Sequence, residues 1–291
     1  MKFKKIAKVL LSCLMAGALF TGCGGGGEKP AQKADDANKS GEKIQLGMIT
    51  HLNVSEQKMD EILSVIEESE KIPLSKYTVK FYDSLNLMQM GIESGSIDEI
   101  SVYKSVADYI VANNNKYEVL NQKEHTIFND NFCFAVRKDD TQLKADLNKA
   151  IDAMKADGSL DKLVKEYVTD VNKGQTPTAV EIPMTEGAQT IKVGVTGDLP
   201  PLDYVNADGK AAGFNTAFLA EVAKRSGKNI EIVNIDSGAR AAVLSSGQID
   251  VIFWAIVPNG DKMPKDIDKP EGVELSAPYF NDNVEHLKLK K

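Results

Sequence analysis

Few residues in this chain have the spacing that chemistry on a substrate requires. His51, His125 and His286 are scattered, without the spacing of metal ligands, and no nucleophile motif accompanies them. No metal ion and no cofactor are expected. Cys133, within Asn131-Phe132-Cys133-Phe134-Ala135-Val136, reads as a buried strand position rather than a nucleophile. What the sequence offers instead is a set of polar and aromatic residues where apolar runs end. These are Thr50, His51 and Asn53; Tyr103 and Ser105; Thr196, Asp198 and Leu199; Ser237 and Arg240; and Trp254 with Ala255. Hydroxyls, an amide, an imidazole and a guanidinium in short loops hold a small polar solute by hydrogen bonds. Trp254 is the only tryptophan and could floor a pocket by stacking, or fill the core. Arg240 falls in the first turn of an expected helix, where the macrodipole disfavours a cation. A bound carboxylate would offset that; a solvated surface arginine is the alternative. Lys104, an exposed loop lysine, ranks below Tyr103.

Such residues act together only if the fold brings those loops to one place. A weak internal echo supplies the fold. Asp83-Ser84 precedes a helix-like run that ends in Ser94-Gly95-Ser96-Ile97-Asp98-Glu99-Ile100. Asp236-Ser237 precedes another that ends in Ser246-Gly247-Gln248-Ile249-Asp250-Val251-Ile252. In each, the Asp-Ser pair suits a helix start, the glycine suits the left-handed residue at its end, and the β-branched run reads as a buried parallel strand. Two strand–helix–strand units imply an α/β protein with two similar lobes. Ligands of open α/β sheets sit beyond the carboxyl ends of the strands, which is where the polar loops fall. Further strands are expected at 44–49, 77–82, 97–103, 126–136, 191–195, 230–235 and 279–289. An amphipathic helix with Leu143, Leu147, Ile151 and Met154 at three- and four-residue spacing spans 141–156, and a further helix follows Gly158.

The first residues concern location. Lys2, Lys4, Lys5 and Lys8 precede an apolar stretch over 9–20, then Thr21-Gly22-Cys23, the plan of a secretory signal. The cysteine after the small pair makes it resemble a bacterial lipoprotein signal with Cys23 lipidated; an ordinary signal peptide or uncleaved anchor is the alternative. Residues 24–43 open with four glycines and continue with little that is apolar, so they read as a flexible tether. The body that follows has roughly 250 residues, enough for two medium domains. A net charge of −7, more negative once the leader lysines are removed, argues against nucleic-acid binding.

Residues 191–204, with Thr196-Gly197-Asp198-Leu199-Pro200-Pro201, are similar to the opening strand and ligand loop of the family 3 extracellular solute-binding proteins of polar amino-acid importers. Asp208-Gly209-Lys210, Gly213-Phe214, Ser246-Gly247-Gln248-Ile249-Asp250 and Ala277-Pro278-Tyr279-Phe280 resemble its later landmarks, and 134–139 with 156–163 its closing segment. The resemblance implies a two-lobed, type II periplasmic-binding-protein-like clamshell. It captures a small polar solute, an amino acid or similar, for the membrane subunits of an ABC importer. The closing segment stands before the opening strand, which implies a circular permutation. A leader (1–22) and tether (23–43) then precede lobe two (44–128). Next come a crossover strand with closing helices on lobe one (129–170), a linker (171–190), lobe one (191–275) and a C-terminal crossover strand (276–291). Two truncated tandem copies or a swapped dimer are the alternatives to a permuted monomer. The family's threonine and arginine that grip an α-carboxylate align roughly with Val257 and Lys262, and its ammonium-binding aspartate with Tyr103, so the usual clamp is replaced. An enzyme on the same fold, a dehydratase or lyase, and a ligand-sensing lobe for a separate partner are the competing functions.

Overall fold

The apolar β-branched runs form strands wherever a helix can cover both faces of the sheet, and they alternate with amphipathic helices from Ile44 onward. The computed structural model describes residues 43–120 and 128–291. The leader, Cys23 and nearly all of the expected tether lie outside the described residues, as do His125 and the start of the strand expected at 126.

The chain runs β1 (Ile44–Ile49), α1 (Glu56–Glu70), β2 (Tyr77–Tyr82), α2 (Leu85–Glu93), β3 (Glu99–Tyr103), α3 (Lys104–Asn113) and β4 (Tyr117–Val119). Here β1 lies between β2 and β3, all parallel. After β5 (Asn129–Arg137), α4 (Thr141–Ala156) and α5 (Ser159–Val164) lead through a π turn and a 3-10 turn into an extended segment. Then follow β6 (Thr190–Val195), a small antiparallel sheet of β7 (Asp198–Leu199), β8 (Asp203–Val205) and β9 (Ala211–Ala212), and α6 (Phe214–Ser226). The chain ends with β10 (Asn229–Asn234), α7 (Arg240–Ser245), β11 (Val251–Pro258), β12 (Val273–Leu275) and β13 (Phe280–Leu289). Here β6 lies between β10 and β11, again all parallel.

The main path of the large sheet is β10-β6-β11-β5-β13-β3-β1-β2. Read from its centre it is a palindrome. Each half has a three-strand parallel set flanked by one antiparallel strand, and those two strands, β5 and β13, pair through Phe132↔Phe280 to Asn129↔Asn283. The two strand–helix–strand units of the sequence thus occupy equivalent places, each with a third strand inserted between its pair.

Their helix starts differ. Ser84 caps α2 by accepting from Leu87 N at 3.2 Å. The Asp236-Ser237 pair makes no such side-chain bond, and the chain there opens as a 3-10 turn, Ser237–Ala239. The reason is that Asp83, from the opposite half, takes the free donors. Its carbonyl accepts from Ser237 N and its Oδ1 from Gly238 N, each at 3.0 Å. Gly95 and Gly247 both take the left-handed conformation that ends a helix, at φ 76° and 74°.

Helices α4 and α5 pack on α6, and the core between them is aromatic: Phe134, Phe218, Phe253 and Tyr279. Gly213, at φ 96°, sets the start of α6. A Cβ there would lie 2.6 Å from Pro201 O and 2.8 Å from Leu202 O. Gly213→Ala should therefore lower folding stability by about 2 kcal/mol, strain and clash together, read as a lower urea midpoint.

Candidate functional site

The carboxyl ends of β1 and β3 face those of β6 and β11, and a cavity of about 140 Å³ lies between them. Its walls are mostly apolar, among them Met48, Ile49, Leu199, Ile256 and Met263. Three rings form a connected side of it. Tyr103 meets Phe132 edge-on at 4.6 Å and 73°, and Phe132 meets Trp254 at 4.7 Å and 77°. With the Asn215 amide turned so that its oxygen faces the ring, the Trp254 indole N–H donates to it at 2.9 Å, so the ring is both a core side chain and a cavity wall.

Three charged side chains, Arg240, Asp268 and Asp130, line this space. Arg240 is only 5% exposed, so it is no surface arginine. Its Nε donates to Ser237 O at 3.0 Å, Nη1 to Trp254 O at 2.6 Å, and Nη2 to Thr50 O at 2.5 Å. Burial lowers its pKa, opposed by the charges of Asp268, Tyr103 and Asp83. Asp268 accepts from Leu52 N at 2.8 Å, from Ile256 N at 3.0 Å and pairs with His51 Nδ1 at 3.2 Å. Burial pulls its pKa up, but the His51 bond and charge, Arg240 and the Leu52 amide outweigh this and hold it below the usual carboxylate value. Asp130 Oδ2 accepts the Tyr103 hydroxyl at 2.8 Å. Burial raises the Asp130 pKa and, with Asp130 beside it, drives that of Tyr103 well above the ordinary phenol value. Ser237 Oγ, in a residue 1% exposed, has no hydrogen-bond partner among the described residues.

Of the residues singled out in the sequence, Thr50, His51, Tyr103, Thr196, Leu199, Ser237, Arg240 and Trp254 line the cavity. Four do not. Asn53 is exposed and bonds outward to the loop before β12, its N–H to Ile267 O at 3.1 Å and its Nδ2 to Asp266 O at 3.0 Å. Ser105 turns into the start of α3, its N–H held by Asp282 Oδ2 at 2.9 Å. Asp198 Oδ2 takes Asn86 N at 3.2 Å, a contact between the halves outside the cavity. Ala255 faces the other side of β11, packed with Leu244 and Ile249. Lys104 is exposed and bonded to Asp108 at 2.9 Å. Asp130, Phe132, Ile256, Met263 and Asp268 line the cavity but were not singled out. Asp130 sits in a run that reads as plain crossing strand, and Asp268 in an aperiodic Lys-, Asp- and Pro-rich loop. Cys133 is buried in β5, and burial pushes its thiol to about 11, as its strand setting suggested.

The arrangement can enclose and hold a solute. Among the described residues no group of His, Cys, Asp and Glu is placed to hold a metal ion. No described helix is long and apolar enough to cross a membrane. The profile of the bacterial extracellular solute-binding proteins, family 3, matches residues 51–170 and 191–284.

The chain belongs to that family.

Its α/β sheet of two opposed parallel sets is the family 3 architecture expected from the sequence. A relative from Campylobacter jejuni, a probable histidine-binding protein, is 31% identical over 101 residues. That match covers 35% of this chain and spans about a third, 36%, of the relative. Similar solved structures include an amino-acid ABC transporter substrate-binding protein from Streptococcus pneumoniae bound to L-arginine. It has 14% identity, covers 87% of this chain and 84% of its own, and gives a TM-score of 0.39. The ligand-binding component of an ABC-type import system from Staphylococcus aureus has 10% identity, covers 85% and 66%, and gives a TM-score of 0.41. In this family 3 chain, Lys262 is paired with Glu70 at 2.9 Å.

Proposed function

We propose that this family 3 protein captures a small polar solute, an amino acid or similar, between two lobes and delivers it to the membrane subunits of an ABC importer. The observation that carries the reading is the cavity itself. It is enclosed by opposed strand ends and lined by buried Arg240, Asp130 and Asp268, with the Ser237 hydroxyl unpaired among the described residues. Buried polar groups of this kind are costly unless something pairs with them. The apolar walls favour a compact apolar portion beside the polar end. An interior space of about 150 Å³ accommodates a benzene-sized group, which sets the scale for this one.

The half-sheets are the lobes, and β5 with β13 are the crossing strands about which they open and shut. The circularly permuted order is supported by the family match, which breaks at 171–190, and by α4 and α5 standing before β6. The leader and Cys23 support a lipid-anchored protein outside the cytoplasm, and membership of a family of binding proteins favours binding without catalysis. The name of the Campylobacter jejuni relative favours the amino-acid class.

A panel of amino acids, oligopeptides, sugars and organic acids tests this by thermal denaturation. One class should raise the melting temperature by about 5 °C or more at a hundred times its dissociation constant. A flat panel, with no solute retained in native mass spectra of protein taken from cells, would overturn it.

A further inference from the structure

We infer that Asp130, positioned by Tyr103, is the carboxylate that receives a cationic nitrogen of the solute and so selects for it. The inference rests on the cavity being the solute site.

Pairing within the cavity is uneven. His51 Nδ1 and Asp268 Oδ1 pair with one another at 3.2 Å. Arg240 spends three N–H groups on backbone carbonyls and meets no carboxylate within 4.0 Å among the described residues. Asp130 is 7% exposed and, among the described residues, has no Lys, Arg or His within that distance. Its Oδ2 is taken by the Tyr103 hydroxyl at 2.8 Å, while Oδ1 accepts from no described residue. Lys265, whose charge also reaches Asp130, spends its ammonium on the carbonyls of Pro258 and Gly260. Asp268 adds a repelling charge from the same side. One buried anion and one buried cation are therefore left without charged partners in an apolar chamber. A buried charge is tolerated when it is paired. A solute with an anionic end and a cationic nitrogen supplies both partners.

The carboxylate is also fixed in place. Asp130 lies where the halves meet, opposite Pro258 of β11 and Asp282 of β13. Its hydroxyl donor cannot wander, because the Tyr103 ring is held edge-on against Phe132 at 4.6 Å. The phenol at the end of β3 thus holds a carboxylate of β5, two strands away across β13. Tyr103 is the positioning residue; Asp130 makes the contact.

Calorimetry on the full chain in detergent tests this, with the common L-amino acids and, for the tightest of them, its desamino acid. Asp130→Asn keeps the size and can still accept the Tyr103 bond, so the fold should persist. It should weaken the amino acid by tenfold or more and leave the desamino acid within about twofold, the loss of one charge-assisted contact. Tyr103→Phe should give a smaller loss of the amino acid, again sparing the desamino acid. Equal losses for both ligands in Asp130→Asn, or no loss for the amino acid, would overturn the inference. If wild type binds no amino acid but native mass spectrometry finds a solute without a cationic nitrogen, the importer reading stands and this inference falls. If neither is found, both fall.

Discussion

Arg240→Ala should lose solute binding altogether and lower folding stability by about 3 kcal/mol, because hydrogen bonds to a buried charge are worth about 1.5–3 kcal/mol each and three are lost. The three acceptors belong to different places. Ser237 O lies in the turn before α7, Trp254 O in β11, and Thr50 O in the loop after β1 of the opposite half. Removing the side chain leaves these carbonyls without their donor and opens space among apolar walls. Part of the cost is returned, since the guanidinium no longer has to be desolvated. Arg240→Lys retains the charge but can reach fewer acceptors without the planar fork, so it should fall between the two. Chemical denaturation measures the stability arm and calorimetry the binding arm. Wild-type stability in the alanine variant would mean that the three bonds contribute nothing net.

Asp268→Ala should cost about 2–4 kcal/mol, because it strands two buried amides, Leu52 N and Ile256 N, and removes the partner of His51. Asp268→Asn should recover part of this, as its oxygen can accept from one amide while its NH₂ faces another donor. The two variants also test the pH dependence. A carboxylate whose folded pKa is depressed binds its proton more readily in the unfolded chain. Its contribution is complete above the ordinary aspartate value, about 3.9, and is lost as pH falls through the lower folded value. Asp268 is such a group. Asp203 works in the opposite sense: burial lifts it to about 6 against the Gly197 amide, so its titration adds stability as pH falls toward 4. Urea midpoints of wild type and Asp268→Asn between pH 7 and pH 3 separate the two. Their difference should stay constant down to about pH 4 and shrink below it. A constant difference throughout would show that Asp268 has no depressed pKa.

The alternation of strands and helices was legible because it rests on local rules. Ser55 and Ser84 cap α1 and α2 through their own side chains, and the glycines at 95 and 247 end helices as left-handed residues. The polar loops were legible because parallel strands place their carboxyl ends together, and eight of the residues picked from them line one cavity. Contacts between distant segments were not. Nothing local marks Asp83 as the acceptor for the 3-10 turn at Ser237–Ala239, or Asp268 as a partner of residues 51 and 52. Those contacts exist only once the half-sheets oppose each other. Arg240 shows the same limit. Its helical position suggested a partner for the guanidinium, but not that three carbonyls would take up most of it.

The seam between β5 and β13 is stitched by uncharged amides. Asn129 Nδ2 donates to Asn281 Oδ1 and Asn283 Oδ1 at 2.9 Å each, and its Oδ1 accepts from Asn259 at 3.0 Å and Asn281 at 2.6 Å. Dissolved ions screen charge but leave such dipoles largely alone, whereas the rim pair Lys262–Glu70 weakens as salt rises. Brine should therefore loosen the periphery before the spine. Each carboxamide is bordered by others that offer the same donor and acceptor, so one broken link has a substitute beside it, and the spine can flex by exchanging partners instead of forfeiting them.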